Sequence, residues 1–122
     1  MDAILSGFEP LLRQAKETLE ADPSAEQAVA VSTAGGASRC FANHAVMAGS
    51  RDDEAAFVRA LAKDGDTRVL RMACVWKDLV PDLPSHALRG ALLELDPANG
   101  AAEILLRTAE GYTAKTIEAT MG

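Results

Sequence analysis

Apolar residues recur at helical spacing over the first twenty residues of the chain. They fall on one helical face and are Ile4, Leu5, Phe8, Leu11, Leu12, Ala15 and Leu19. Pro10 lies inside this pattern, so we expect the first helix either to kink there or to begin late, near Glu9. The segment "AVAVSTAGGASRCFANHAV" then predicts two strands joined about Gly35-Gly36, a pair typical of a hairpin turn.

The second half of the chain predicts two more helices and three more strands. "GSRDDEAAFVRALAKDG" indicates a helix that Ser50 or Asp52 can cap, with three acidic residues in its first turn and Gly65 at its end. "TRVLRMACVW" is nearly continuous apolar sequence, as expected of a strand covered on both faces. A third helix, "DLPSHALRGALLEL", stops at Asp96 and Pro97. The strands "AEILLR" and "YTAKTIEA" follow, with a turn at Glu110-Gly111.

The order of elements is therefore α-β-β-α-β-α-β-β, which predicts an α/β fold. Each of the two internal β-α-β crossovers should be right-handed and lay its two strands parallel. We expect a mixed sheet of about five strands with helices on its faces. A length of 122 residues suits one domain, residues 1–122.

Composition and charge narrow the classes of function. The chain has 12 Lys and Arg against 18 Asp and Glu, which argues against a nucleic-acid partner because binding to phosphates needs clustered cations. No signal peptide is recognisable at the start, and no apolar run approaches the ~20 residues that span a bilayer. Cys40 and Cys74 match no paired-ligand spacing, and we expect no disulfide. These features predict a cytoplasmic protein without a membrane partner.

Two short segments carry the candidate chemistry. Residues 84–89, "PSHALR", have the outline of a P-C-x-x-C-R zinc motif in which both cysteines are replaced. The chain resembles the small, single-domain cytidine deaminases, whose second helix opens with C-A-E or H-A-E and whose third helix opens with P-C-x-x-C. "DDEAAFVRALAKDGDT" and "PSHALRGALLELDP" stand at those two places. The resemblance implies a three-layer α-β-α cytidine deaminase-like fold.

Carried over residue by residue, the resemblance places a metal pocket at the starts of the second and third helices. Asp52 takes the position of the first zinc ligand, and Glu54 takes that of the glutamate that shuttles protons. Ser85 and Leu88 take the two thiolate positions, and Arg89 matches the arginine that follows the second cysteine. Zinc is the cofactor that such relatives carry.

The resemblance also implies a ligand-binding segment and an assembly. "FANHAVMAG" resembles the N-V-E-N-A-x-Y-G run that grips the nucleoside sugar, with Phe41, Asn43 and His44 at the first asparagine, the glutamate and the second asparagine. Met47 replaces the tyrosine. Deaminases of this kind associate as dimers or tetramers, so a homo-oligomer and a nucleoside-like small ligand are expected by resemblance.

The replacements at the metal pocket argue against zinc and for a different use of the same helix ends. Leu88 offers no lone pair and a serine hydroxyl is a poor ligand, so we expect no metal here. Without a metal, water keeps a pKa of roughly 15.7 instead of about 7. Asp52 and Ser85 can cap their helices, and Leu88 can fill the space. We therefore predict a degenerate, zinc-free and non-catalytic protein that serves as a small-ligand-binding or assembly module.

Other interpretations stay open at this point. Glu54, with Asp52 and His44, could act as acid or base in an enzyme on a nucleoside-like or other small amide substrate, or it could simply be one of several acids that favour a helix N-terminus. Adjacent helical residues point about 100° apart, so residues 52–54 converge poorly on Mg²⁺ or Ca²⁺. A purely structural oligomer is a third hypothesis. Filling of the space by Leu88 would count against the enzyme.

Overall fold

The computed structural model describes residues 3–121. It contains the predicted helices and strands in the predicted order, with a 3-10 turn and a short last helix in addition. The elements are α1 Ala3–Ala21, β1 Gln27–Thr33, β2 Ser38–Asn43, α2 Asp52–Lys63, β3 Val69–Trp76, α3 His86–Leu95, a 3-10 turn Pro97–Ala101, β4 Glu103–Thr108, β5 Gly111–Thr116 and α4 Ile117–Thr120. The hairpin between β1 and β2 turns at Gly36, whose φ of 87° is a conformation that favours glycine. None of the helices in residues 3–121 has the length and apolar character to cross a membrane.

The five strands form one mixed sheet in the order β2-β1-β3-β4-β5. Strands β3 and β4 pair in parallel, and every other neighbouring pair is antiparallel. Because β1 is antiparallel to both β2 and β3, these two strands run in the same direction. The predicted α/β class, the mixed sheet of five strands and the parallel crossovers are therefore confirmed.

Helix α1 covers one face of the sheet. Its buried side chains are those of the predicted stripe, namely Phe8, Leu11, Leu12, Ala15 and Leu19. The opposing sheet residues are small, with Ala28, Ala30 and Ala73 fully buried, so the helix can lie close to the strands. Ile4 belongs to the predicted stripe but is exposed.

Proline does not delay the start of α1. The helix begins at Ala3 and runs through Pro10, so the expected late start near Glu9 is wrong. The missing N–H of a proline costs one helical hydrogen bond. Phe8 lies before Pro10 and is buried against the sheet, and Arg71 Nη1 donates to the Gly7 carbonyl at 3.1 Å, so contacts outside the helix support its first turns.

Helices α2 and α3 cover the other face. Phe57 and Leu61 of α2 and Leu88 and Leu92 of α3 join one core cluster with strand residues on that side, among them Val29, Val31, Met72, Cys74 and Ile104. The molecule thus has three layers, with α1 on one side of the sheet and α2 and α3 on the other. Strand β3 is buried on both faces from Met72 to Val75, as predicted, but exposed at Leu70 and Arg71.

Two further element boundaries differ from the prediction. The last strand was expected to continue to Ala119, but β5 ends at Thr116. Thr116 instead caps a short helix, because its hydroxyl accepts a hydrogen bond from the Ala119 N–H at 3.1 Å. The start of α2 is the second difference, since Arg51 occupies the N-cap position without a side-chain capping bond.

Candidate functional site

Glu54 lies at the centre of the candidate site because of its place on α2. It precedes Phe57, Val58 and Leu61 by three, four and seven residues, so it shares the face that packs against the sheet. Only 3% of Glu54 is exposed. A carboxyl group at that depth needs hydrogen-bonding partners to offset the loss of water.

Those partners come from three different parts of the chain. The Ser85 hydroxyl, at the start of α3, lies 2.8 Å from both Glu54 carboxyl oxygens. Asn43, at the end of β2, donates its side-chain N–H to Glu54 Oε2 at 3.0 Å. Arg51, just before α2, places its Nε 3.6 Å from Glu54 Oε1. Both carboxyl oxygens of Glu54 are therefore engaged within the protein.

Asn43 extends this network into the sheet. It is fully buried and also donates to Gln27 Oε1, at 3.1 Å, on the paired position of β1. Its side-chain oxygen, Oδ1, is buried and has no hydrogen-bond partner in the part of the chain that the structure describes. We refer to the side chains of Gln27, Asn43, Glu54 and Ser85 as the Glu54 network.

Ser85 performs the predicted capping of α3. Its hydroxyl oxygen accepts from the Leu88 N–H at 3.0 Å while its proton is directed to Glu54. One hydroxyl thus satisfies an N–H at the helix start and links α3 to α2. Leu88, one turn later, is buried in the core shared by the two helices and the sheet.

Arg89 lies in the first turn of α3, and its side-chain hydrogen bonds go to backbone carbonyl groups and not to Glu54. Its Nε donates to the Pro84 carbonyl at 3.1 Å, and its Nη1 donates to the Thr120 carbonyl at 3.0 Å. Arg89 is largely buried, and its hydrogen bonds connect α4 to the segment before α3. These contacts are those of an arginine that satisfies backbone carbonyl groups.

Asp52 does not have the capping role that the sequence predicts for it. It is the first residue of α2 and exposed, with no capping bond from its side chain, so the prediction that it caps α2 is wrong. Ser50, the other predicted cap, accepts from the Asp52 N–H at a long 3.4 Å. No hydrogen bond or ion pair connects the Asp52 side chain to Glu54 or Ser85 within residues 3–121.

His44 is held between two carboxylates that the sequence reasoning did not assign. Its Nε2 lies 2.7 Å from Asp22, which follows α1, and its Nδ1 lies 3.0 Å from Asp53 in the first turn of α2. Asp53 also accepts from the His44 backbone N–H at 2.8 Å. Hydrogen bonds to Asp22 and Asp53 raise the pKa of His44 above its ordinary value of 6.5. His44 therefore joins the end of α1 to the start of α2.

Phe41 is partly buried and packs against the core. Its ring centroid lies 4.6 Å from that of Phe57, and the two rings are tilted by 30°. Of the three residues placed in a ligand-binding segment, Phe41 contacts α2, Asn43 belongs to the Glu54 network, and His44 bridges two carboxylates.

The open space beside Glu54 is small and mostly apolar. A recess of about 150 Å³ is lined by Arg51, Glu54, Ala55, Ala87, Leu88 and Ala91. Only the first two of these residues carry polar side chains. The recess offers little for the recognition of a polar substrate.

The donors at this place do not suit a zinc ion. Leu88 has no lone pair, and the Ser85 hydroxyl is already bonded to Glu54 and to the Leu88 N–H. Cys74 belongs to the same core cluster as Leu88, but burial raises the pKa of its thiol well above the ordinary value, which keeps it protonated. In residues 3–121 no group of three His, Cys, Asp or Glu side chains is arranged to hold a metal.

Known structures share this fold. The chain is similar to cytidine deaminase from Mycobacterium leprae, with a TM-score of 0.70, 18% identity and coverage of 93% of this chain and 96% of that one. Cytidine deaminase from Mycobacterium tuberculosis gives a TM-score of 0.66, with 21% identity over 93% and 92% of the two chains. Cytidine deaminase from Burkholderia pseudomallei gives 0.63, with 17% identity over 91% and 93%.

These similarities show that the chain adopts the cytidine deaminase-like fold. The resemblance of the segments at the starts of the second and third helices predicted this fold. No family model matches the chain. No curated protein matches it either. At these identities the likeness concerns the fold alone.

Removal of the Ser85 hydroxyl should destabilise the fold measurably. Ser85→Ala loses the cap of α3 and a hydrogen bond to a buried carboxyl group, so we expect a loss of about 1–3 kcal/mol in the free energy of unfolding. Ser50→Ala is the matched control, because it removes a serine before the other helix whose hydroxyl, among the described residues, forms a single long hydrogen bond of 3.4 Å. Urea unfolding should show the large loss for Ser85→Ala alone, and equal losses would contradict the assigned role.

The His44 bridge should make stability depend on pH. Because the pKa of His44 is raised in the folded state, its contribution is complete below the unfolded value of about 6.5 and is lost as the pH rises through the folded value. His86→Gln provides a background in which His44 is the single histidine. In that background, the stability difference between His44 and His44→Gln should shrink from pH 6 to alkaline pH. A difference that stays constant or grows would show that the bridge is not protonated.

Proposed function

We propose that this protein is a zinc-free, non-catalytic member of the cytidine deaminase-like fold, serving as a small-ligand-binding or assembly module. The observation that carries the proposal is the state of the Glu54 carboxyl group. Its two oxygens accept hydrogen bonds from Ser85 and Asn43, and the residue is almost fully buried. A general base must reach the proton it abstracts, and a carboxyl group engaged in this way is not positioned to do so.

The chemistry of water supports the same proposal. Deaminases of the zinc type attack the base with a metal-activated water. Without such a metal, the pKa of water stays at roughly 15.7 instead of about 7, and hydroxide is scarce at neutral pH. Two of the three positions that match zinc ligands, Ser85 and Leu88, are used for capping and for core packing.

The alternative is an enzyme that acts on a nucleoside-like or other small amide substrate with Glu54 as acid or base. That hypothesis needs an open and polar pocket around Glu54. The recess there is about 150 Å³, and Leu88, which is 1% exposed, forms part of its wall. These dimensions favour the non-catalytic proposal.

The partner of such a module is proposed by analogy of fold. Cytidine deaminases act on a nucleoside, so a nucleoside-like small molecule is the first ligand to test, and a homo-oligomer of two or four chains is the first assembly. Asn43 is fully buried and Phe41 is partly buried against the core, which limits the contacts that these two side chains can make with a ligand.

Metal content and turnover test the proposal together. After incubation with excess zinc and removal of unbound metal, we expect far less than one zinc per chain by elemental analysis. We also expect no deamination of cytidine above the uncatalysed rate, because the proposed zinc-free protein would have neither a metal-activated water nor a free base. Stoichiometric zinc together with turnover would overturn the proposal, and turnover without zinc would establish the alternative enzyme.

The two forms of the module are separated by a second pair of measurements. Light scattering reports whether the chain is a dimer or tetramer, and a thermal-shift screen reports nucleosides that stabilise it. A ligand at a hundred times its Kd should raise stability by about 2.7 kcal/mol. A monomer that responds to no ligand would contradict both forms.

A further inference from the structure

A row of polar side chains crosses the sheet on the α1 side, at the end away from Glu54. Ser38 of β2 pairs directly with Ser32 of β1, and Ser32 pairs with Arg71 of β3. Directly paired residues point to the same face of a sheet. Ser32 lies two residues after Ala30 in β1, so it points to the face on which Ala30 packs under α1. Two hydroxyl groups and one guanidinium therefore lie side by side on three adjacent strands.

The Arg71 guanidinium contacts α1 and forms a loose pair with Glu103 on β4. Its Nη1 donates to the Gly7 carbonyl at 3.1 Å, and the group lies 5.5 Å from the centre of the Phe8 ring. A Cβ on Gly7 would lie only 3.2 Å from Nη1, so glycine lets the guanidinium approach the helix. Within residues 3–121 its Nη2 has no hydrogen-bond acceptor. This edge of the guanidinium remains available.

The row borders a recess of about 270 Å³ between the start of α1 and the β1–β2 hairpin. It is lined by Ser32, Ser38 and Arg71 on the polar side and by Gly7, Pro10 and Leu11 on the helix side. Across the described part of the chain, neither the Ser32 hydroxyl nor the Ser38 hydroxyl forms a hydrogen bond. Three groups that can donate hydrogen bonds thus face one open volume.

We propose that this recess is a binding site for a tetrahedral oxyanion, the phosphate group of a small organic molecule. A guanidinium offers a planar pair of N–H donors that matches phosphate oxygens, and two neighbouring hydroxyls can donate to the remaining oxygens. The apolar wall at Pro10 and Leu11 leaves room for a small organic body beside the phosphate. The site lies on the other face and at the other end of the sheet from Glu54, so it does not depend on the proposed function.

Nearby carboxylates set the expected strength of binding. Glu103 lies 3.8 Å from Arg71 Nε in a loose pair in which both side chains are about half exposed. Asp66 lies beside the hairpin but is already paired with Arg39 at 3.1 Å and with the Thr33 hydroxyl at 2.9 Å. These charges, on a chain of net charge −6, make millimolar affinity for free phosphate the expectation.

The test is an NMR titration of the full chain with inorganic phosphate and, separately, with acetate at equal ionic strength. Phosphate should give saturable shifts at the amides of Ser32, Ser38 and Arg71, and it should bind more tightly than acetate. Arg107→Gln is the matched control, because Arg107 also lies over an aromatic ring, 5.4 Å from the centre of Tyr112, but outside the recess. This variant should bind phosphate as the parent does.

Two variants decide the assignment. Arg71→Gln should abolish saturable binding, and the double variant Ser32→Ala with Ser38→Ala should weaken it about tenfold or more. The serine variant leaves the contact between Arg71 and α1 in place, so it remains informative if Arg71→Gln unfolds. Equal binding of acetate, shifts that do not saturate, or unchanged affinity in the serine variant would each overturn the proposal.

Discussion

The hydrogen bonds of the buried Glu54 carboxyl group hold together the end of the molecule where α2, α3 and the sheet meet. A carboxyl group removed from water must find donors within the protein, and here Ser85 and Asn43 supply them. Ser85 belongs to the start of α3, and Asn43 to the end of β2. The network therefore fixes two helix starts against one strand end, and Gln27 continues it into β1.

In this fold the starts of two neighbouring helices must both be stabilised. Two helices begin near each other, and each helix start carries unpaired N–H groups and a partial positive charge. At α3 the Ser85 hydroxyl accepts one of these N–H groups, and Leu88 occupies the adjacent core. At α2 no side chain caps the helix, but three acidic residues fill its first turn, and Asp53 binds the preceding loop through His44. The start of α3 is thus capped by a side chain, whereas the start of α2 has acidic side chains near its partial positive charge.

The sequence predicted the parts of this structure that depend on local patterns. The apolar stripe of α1, the glycine hairpin and the Ser85 cap each depend on residues close together in the chain, and each is confirmed. Of the two alternatives predicted for Pro10, the late start of α1 is wrong, because burial of Phe8 and the hydrogen bond from Arg71 support the turns before the proline. The extension of the last strand to residues 117–119 is wrong because Thr116, which suits both a strand and a helix cap, ends β5 and caps α4.

The long-range contacts of the site could not be predicted in the same way. The position of Glu54 three, four and seven residues before Phe57, Val58 and Leu61 was a signal that it would be buried. Its partners Asn43 and Ser85 become neighbours only through the sheet order and the packing of α2 on α3. Asp22 and Asp53 are 31 positions apart, and no local pattern connects them to His44.

A double-mutant cycle between Glu54 and Ser85 tests the central claim most directly. The free energy of unfolding would be measured for the parent, Glu54→Ala, Ser85→Ala and the double variant. If the hydrogen bonds between Glu54 and Ser85 stabilise the fold, the coupling energy of the two side chains should lie between about 0.5 and 3 kcal/mol. Additive effects, with no coupling beyond experimental error, would contradict the account.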